Sequence, residues 1–106
     1  RGRQGGVQPG DGVEGQLGEV MLRSRRFDGL EIVLTAHARQ RAQERNMSLE
    51  VIRDIVDNGT QQEANPGHFW FYKHFPDRDD NLLCVAAVID NVLVIKTVMH
   101  HWRAAP

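Results

Sequence analysis

His37, Arg41 and Arg45 stand at i, i+4 and i+8, a spacing that lines three side chains along one stripe of a helix. Leu34, Ala38 and Ala42 form the adjacent stripe. The helix can therefore dock through small and apolar residues while its flank presents an imidazole and two guanidiniums. An imidazole titrates near neutrality, so it can take and return a proton. A guanidinium can hold two phosphate oxygens at once. These are the parts that phosphodiester cleavage needs: a base for the ribose 2′-hydroxyl, and a clamp for the charge that develops on the phosphorus oxygens. The plainer reading is a solvated arginine flank, with Arg41 paired to Glu44 or another nearby acid.

The C-terminal half supplies further candidates. Lys73 falls in strand register with Phe69, Phe71 and Phe75, so a charge interrupts an aromatic face. An edge strand carrying a gatekeeper lysine explains it equally simply. Lys96 interrupts Val92, Val94 and Val98 in the same way. Regular alternation puts Thr97 on the opposite face, with Leu93, Ile95 and Met99. His100 and His101 are adjacent, so at most one of them can join a site on a given face. Arg23, Arg25 and Arg26 make a short basic knot that reads first as a solvated face and second as a phosphate or partner contact. The five histidines show no metal-site spacing, and no metal or cofactor is expected. Cys84 lies inside an apolar run and reads as a buried small hydrophobe, not a nucleophile.

These side chains need elements to hold them. Thr35 is a good N-cap for a helix running to about Arg45, and Asn46 can end that helix in a left-handed conformation. Ser48 caps a second helix with Leu49, Ile52, Ile55 and Val56 on one face, and Gly59 stops it. Leu30 to Leu34 reads as extended chain or a helix entry. Strands are predicted near residues 68–75, 82–90 and 92–101, with Asp90-Asn91 as a turn. Two helices followed by a meander predict an α+β domain, the helices packed on one face of a small twisted antiparallel sheet.

Composition sets the outer limits. A chain of 106 residues, 41% hydrophobic and 25% charged, suits one globular domain with a modest core. No apolar stretch is long enough to cross a bilayer as a helix, so no membrane insertion is expected. A net charge of -1 argues against a general nucleic-acid coat protein. It leaves room for a nuclease with local positive charge. Seven of the ten glycines fall in the first 19 residues. Residues 1–20 therefore read as a linker or leader, and residues 21–106 as the single domain. The start at Arg1 reads as a piece of a longer chain.

The stretch from Leu34 to His101 resembles a family of small bacterial domains. Their helix start reads Thr-x-His-Ala-x-x-Arg-x-x-x-Arg, and their last strand holds a Val-x-Thr-Val-type segment. Here these are Thr35-Ala36-His37-Ala38 through Arg41 and Arg45, and Val94-Ile95-Lys96-Thr97-Val98. Such domains look related to the broad RNase group of barnase, EndoU, the tRNA-cutting colicins and RelE-type toxins. They serve as C-terminal toxin tips of contact-dependent growth inhibition proteins and other polymorphic toxins. The resemblance implies a site on the concave side of the sheet and metal-independent RNA cleavage, with tRNA as the expected substrate. It also implies a cognate immunity protein. The expected setting is a monomeric tip of a secreted or surface-exported protein that acts in the target-cell cytoplasm. His37, Arg41, Lys73 and Thr97 become the implied catalytic residues, and Arg39, Arg45, Lys96 and His100 the implied substrate contacts. Many such domains end in a Tyr-containing strand, where this chain has Met99-His100-His101-Trp102. Two alternatives accompany this reading: a RelE-like toxin paired with an antitoxin, and a non-enzymatic RNA-binding or interaction module of the same fold.

Overall fold

The computed structural model describes residues 22–103; the leader expected over residues 1–20 lies outside them. Within them the chain runs β1 (Arg23–Ser24), β2 (Leu30–Leu34), α1 (Ala36–Glu44), α2 (Leu49–Asn58), β3 (Thr60–Asn65), β4 (His68–Lys73), β5 (Leu83–Ile89) and β6 (Leu93–Met99). The domain is α+β. Local chemistry starts and stops the helices. The Thr35 hydroxyl accepts from the Ala38 N–H at 3.0 Å, and the Ser48 hydroxyl accepts from the Val51 N–H at 3.1 Å. Asn46 turns the chain between the helices at φ 53°, a conformation that asparagine tolerates better than most residues. Gly59 follows α2 with an ordinary φ of -79°. It is glycine for a different reason. A Cβ there would collide with the Ile55 carbonyl oxygen and come within 2.6 Å of the Tyr72 carbonyl oxygen.

The six strands form one sheet in the order β1-β2-β6-β5-β4-β3. Four of its ladders are antiparallel, but β2 runs parallel to β6, with Ile32, Val33 and Leu34 opposite Leu93, Val94 and Ile95. The sheet is therefore mixed, where an antiparallel one was expected. Leu30–Leu34 is a true strand, and both helices plus β3 to β5 lie in the crossover that a parallel pair requires. β3 is also absent from the sequence reading. Its residues, Thr-Gln-Gln-Glu-Ala-Asn, are polar and mostly exposed, so no alternation marks them. Pairing with β4 across the Pro66-Gly67 turn, with Gly67 at φ 80°, makes it a strand.

The core joins one face of the sheet to both helices. Ile32, Leu34, Phe71, Leu83, Val85, Leu93, Ile95 and Val98 meet Ala38, Ala42, Ile52, Ile55 and Val56. α1 lies along β6 and β2, while α2 lies along β4 and β5. Each fully buried large side chain contributes roughly 1.5–3 kcal/mol. The sheet curls around this core. Phe27, in the turn between β1 and β2, packs edge-on against Phe71 of β4 at 5.9 Å, although β2, β6 and β5 separate β1 from β4 in the sheet. The helices fill the concave side, which the resemblance had reserved for the site. The basic knot is partly structural. Arg26 donates to the Val56 and Gly59 carbonyls at 3.2 and 2.8 Å, a cation placed at the negative end of α2. Ser24 and the backbone beside it bind the Asp57 carboxylate.

Candidate functional site

Where β2 ends, α1 takes over the edge of β6. The Thr35 N–H donates to the Ile95 carbonyl at 3.1 Å and its hydroxyl to the Lys96 carbonyl at 3.2 Å. At the other end of the helix, Arg45 donates through Nη1 to the Val98 carbonyl at 2.8 Å. Buried Ala38 and Ala42 let the helix come close. The stripe of His37, Arg41 and Arg45 thus runs beside the segment of β6 that carries Lys96 and Thr97. His37 is exposed, and its ring has no hydrogen-bond partner among the described residues. Arg41 donates to Glu44 at 2.8 Å, both side chains standing well out in solvent. The Arg41 guanidinium, helped by Gln40, holds the Glu44 carboxyl below its usual range. The plainer reading of Arg41 therefore describes the ligand-free protein.

A bulge at Lys96 decides what Thr97 faces. Ala87 pairs with Ile95 but Ala86 pairs with Thr97, so Lys96 is the extra residue and the alternation reverses there. Leu93, Ile95 and Val98 enter the core. Thr97 turns to the helix-free face with Val94 and Met99, not with Leu93 and Ile95 as unbroken alternation predicts. Lys73 lies on the other face. It shares that face with Phe69 and Phe71 as expected, but there it pairs with Asp54 of α2 at 3.2 Å and sits over the Phe75 ring at 4.4 Å. A sheet separates Lys73 from Thr97, so the two cannot hold one phosphate. Lys73 is not an edge-strand gatekeeper either, because β3 flanks β4. Arg39 also leaves the group. Two residues span about 200° of helix, so it lies on the opposite flank of α1 from Arg41.

His100 belongs to a second cluster at the far end of α1. The Arg78 guanidinium donates to both carboxylate oxygens of Asp80, at 2.9 and 2.8 Å, and to the carbonyls of Arg45 and Asn46, at 2.7 and 2.9 Å. It caps α1 at its negative end. His100 Nδ1 lies 3.1 Å from Asp80 Oδ2. Arg78 holds the Asp80 carboxyl far below the usual carboxylate range, His100 adding to the effect. With Asp80 ionised, the proton of that contact is on Nδ1 of His100. Residues 76–81 fall between two predicted strands, and nothing in their types links Arg78 to a helix end more than thirty residues earlier. His100 sits level with Arg45, about 12 Å along the helix axis from His37. The two imidazoles do not share one scissile phosphate.

Elsewhere a depression of about 640 Å³ lies between Arg25, Arg26 and α2, but its carboxylates are engaged: Asp54 with Lys73, Glu50 with Arg53, Asp57 with Ser24. Among the described residues no three His, Cys, Asp or Glu side chains gather as metal ligands would. No described helix is long and apolar enough to cross a membrane. Burial pushes the Cys84 thiol up to about 12. The model of one family, described as a domain of unknown function (DUF4258), matches residues 34–100, a span from the end of β2 through β6 to His100. No curated protein and no solved structure matches the chain.

Proposed function

The chain belongs to the DUF4258 family, and from that premise we propose that it is a metal-independent ribonuclease domain, with His37 as the proton-transfer residue and Arg41 as the phosphate clamp. One observation carries the reading. The alanine face of α1 docks on β6, and this leaves His37 and Arg41 open to solvent beside Lys96 and Thr97. In the reaction His37 takes the proton of a ribose 2′-hydroxyl. The 2′-oxygen bonds to phosphorus and the bond to the 5′-oxygen breaks, that oxygen taking a proton from water as it leaves. Arg41 gives up Glu44 and holds the phosphorus oxygens, whose charge rises during the step. On this reading Lys96, exposed at the β6 bulge, adds a positive charge, and Thr97, on the helix-free face of β6, adds a hydrogen-bond donor. Arg45 is committed to the Val98 carbonyl and positions the helix.

The reading extends to tRNA as substrate and to a toxin tip exported on a larger protein, entering the target-cell cytoplasm and neutralised by an immunity protein. The motif shared with toxin tips supports these parts. The test is incubation of the purified domain with total tRNA in EDTA. The expected product ends in a 2′,3′-cyclic phosphate. Loss of activity in EDTA, restored by a divalent ion, would overturn the metal-independent chemistry. A second reading, an RNA-binding module without catalysis, is favoured by the closed Arg41–Glu44 pair and by a His37 ring that no neighbour orients. It predicts tRNA retention without new 3′ ends.

A further inference from the structure

We propose that the helix-free face of the sheet is a stacking surface for unpaired RNA bases, built from Trp70, Tyr72 and Trp102. The proposal rests on the nuclease reading of the α1 edge and specifies the form of RNA which that edge meets. Strand register assembles the surface. Trp70, Ala86 and Thr97 form one row across β4, β5 and β6, and Tyr72, Cys84 and Met99 form the next. The Trp102 N–H donates to the Leu82 carbonyl at 3.1 Å. This sets its ring 4.6 Å from Tyr72, tilted by 35°, and 5.4 Å from Trp70, edge-on. All three residues are only partly buried, and both helices lie on the other side of the sheet. Half-wet tryptophan and tyrosine rings are suited to stacking with any base.

The layout points to RNA because the aromatic and cationic groups meet along one line. Ala86 is the small residue between Trp70 and Thr97, so it leaves a trough. Two strand spacings, about 10 Å, separate the Trp70 row position from Thr97, and next to Thr97 the β6 bulge carries the exposed Lys96. A base laid on Trp70 would send its sugar and phosphate toward that positive edge. Bases in a duplex hide their faces in the stack, so such a surface selects loops and single strands. Part of the ring cluster also serves the fold: Cys84 points to this face yet is fully buried, beside Tyr72 and Met99.

The chain has two tryptophans, and both are in this cluster, so intrinsic fluorescence reports on it directly. The full chain is titrated with a single-stranded 2′-O-methyl RNA 12-mer, which lacks the nucleophilic hydroxyl and cannot be cut, and with the same strand in a duplex. Saturable quenching by the single strand is expected, with the duplex at least about tenfold weaker. Trp70→Leu keeps an apolar side chain but removes the aromatic face. Anisotropy of end-labelled strand should show about tenfold weaker binding, with Trp70→Phe retaining most of it. Equal binding of duplex, no quenching, or unchanged affinity in a folded Trp70→Leu protein would overturn the proposal. Cleavage of tRNA without quenching would sink the stacking surface and spare the nuclease reading. Quenching without any cleavage of natural RNA would do the reverse.

Discussion

Arg41 in the free protein is spoken for by Glu44, yet the pair is open to water, where such contacts are weak and easily exchanged. The contact with Glu44 uses one nitrogen and one oxygen, so a phosphate that accepts from two guanidinium nitrogens can displace it. An ammonium offers no two-pronged contact, and Arg41→Lys should lose at least about tenfold in kcat/KM. His37 is exposed and bonds to nothing described. His37→Ala should therefore fold as the parent does and lose roughly a hundredfold or more in cleavage rate. A folded His37→Ala protein that cuts at the parent rate would end its assignment as the base. Arg78 is a different kind of residue, since it touches no candidate phosphate and ties Asp80 to the end of α1. Arg78→Ala leaves two helix-end carbonyls unpaired and a mostly buried carboxylate with His100 as its remaining side-chain partner, at a cost of about 1–3 kcal/mol. The linkage has a definite sign. Asp80 has a folded-state pKa well below its unfolded value of 3.8. Its contribution to stability is complete above the ordinary carboxylate range and is lost as pH falls through and below that range. Melting temperatures from pH 6 to pH 2.5 should thus fall less steeply in Arg78→Ala than in the parent.

The elements that position these groups were legible to different degrees, for physical reasons. Both N-caps and the left-handed Asn46 are properties of short segments, and Thr35, Ser48 and Asn46 announce them. The helix stripe was legible too, because the alanine spacing and the His37-Arg41-Arg45 spacing are two readings of one period. What escaped depends on partners distant in sequence. β3 is a strand because β4 is beside it, and the parallel pairing of β2 appears only when β6 returns across the whole domain. Lys73 was assigned to the site by the resemblance, and alternation could not correct it, because it says which residues share a face, not which face receives the helices. Thr97 was placed on the wrong face because one extra residue, Lys96, reverses the alternation. Gly59 shows the same limit: the residue type suggested a stop signal, while the structure shows a close approach to the β4 backbone. Gly59→Ala should lower stability by roughly 1–3 kcal/mol, because the added methyl meets two fixed carbonyls and no movable side chain. Urea unfolding will measure it, and a cost near zero would mean that α2 and β4 can slide apart.

For the molecule as a whole, the decisive number is a net charge of -1. A protein without a general positive field gathers RNA through the few cations it places, and the salt dependence of binding counts them. Among the described residues two cations are free on the β6 edge once Glu44 lets go: Arg41 and Lys96. Arg45 and Lys73 are held by protein groups, Arg39 is on the far flank of α1, and Arg103 follows Trp102 at the stacking surface. Three phosphate contacts on a single strand correspond to a slope of log K against log salt of about -2. Affinity for an uncut strand should then fall roughly fifteenfold to twentyfold between 50 and 200 mM salt. Removing Arg41 should make the slope shallower by about 0.7 while leaving the stacking contribution in place, since that part is insensitive to salt. Trp70→Leu should do the opposite, weakening binding at every salt concentration and leaving the slope alone. A slope several times steeper would mean that RNA is held by a broad basic surface. Cations away from the β6 edge, such as Arg25 and Arg39, would then have to take part, and the α1 edge would no longer be the place where the phosphates are gripped.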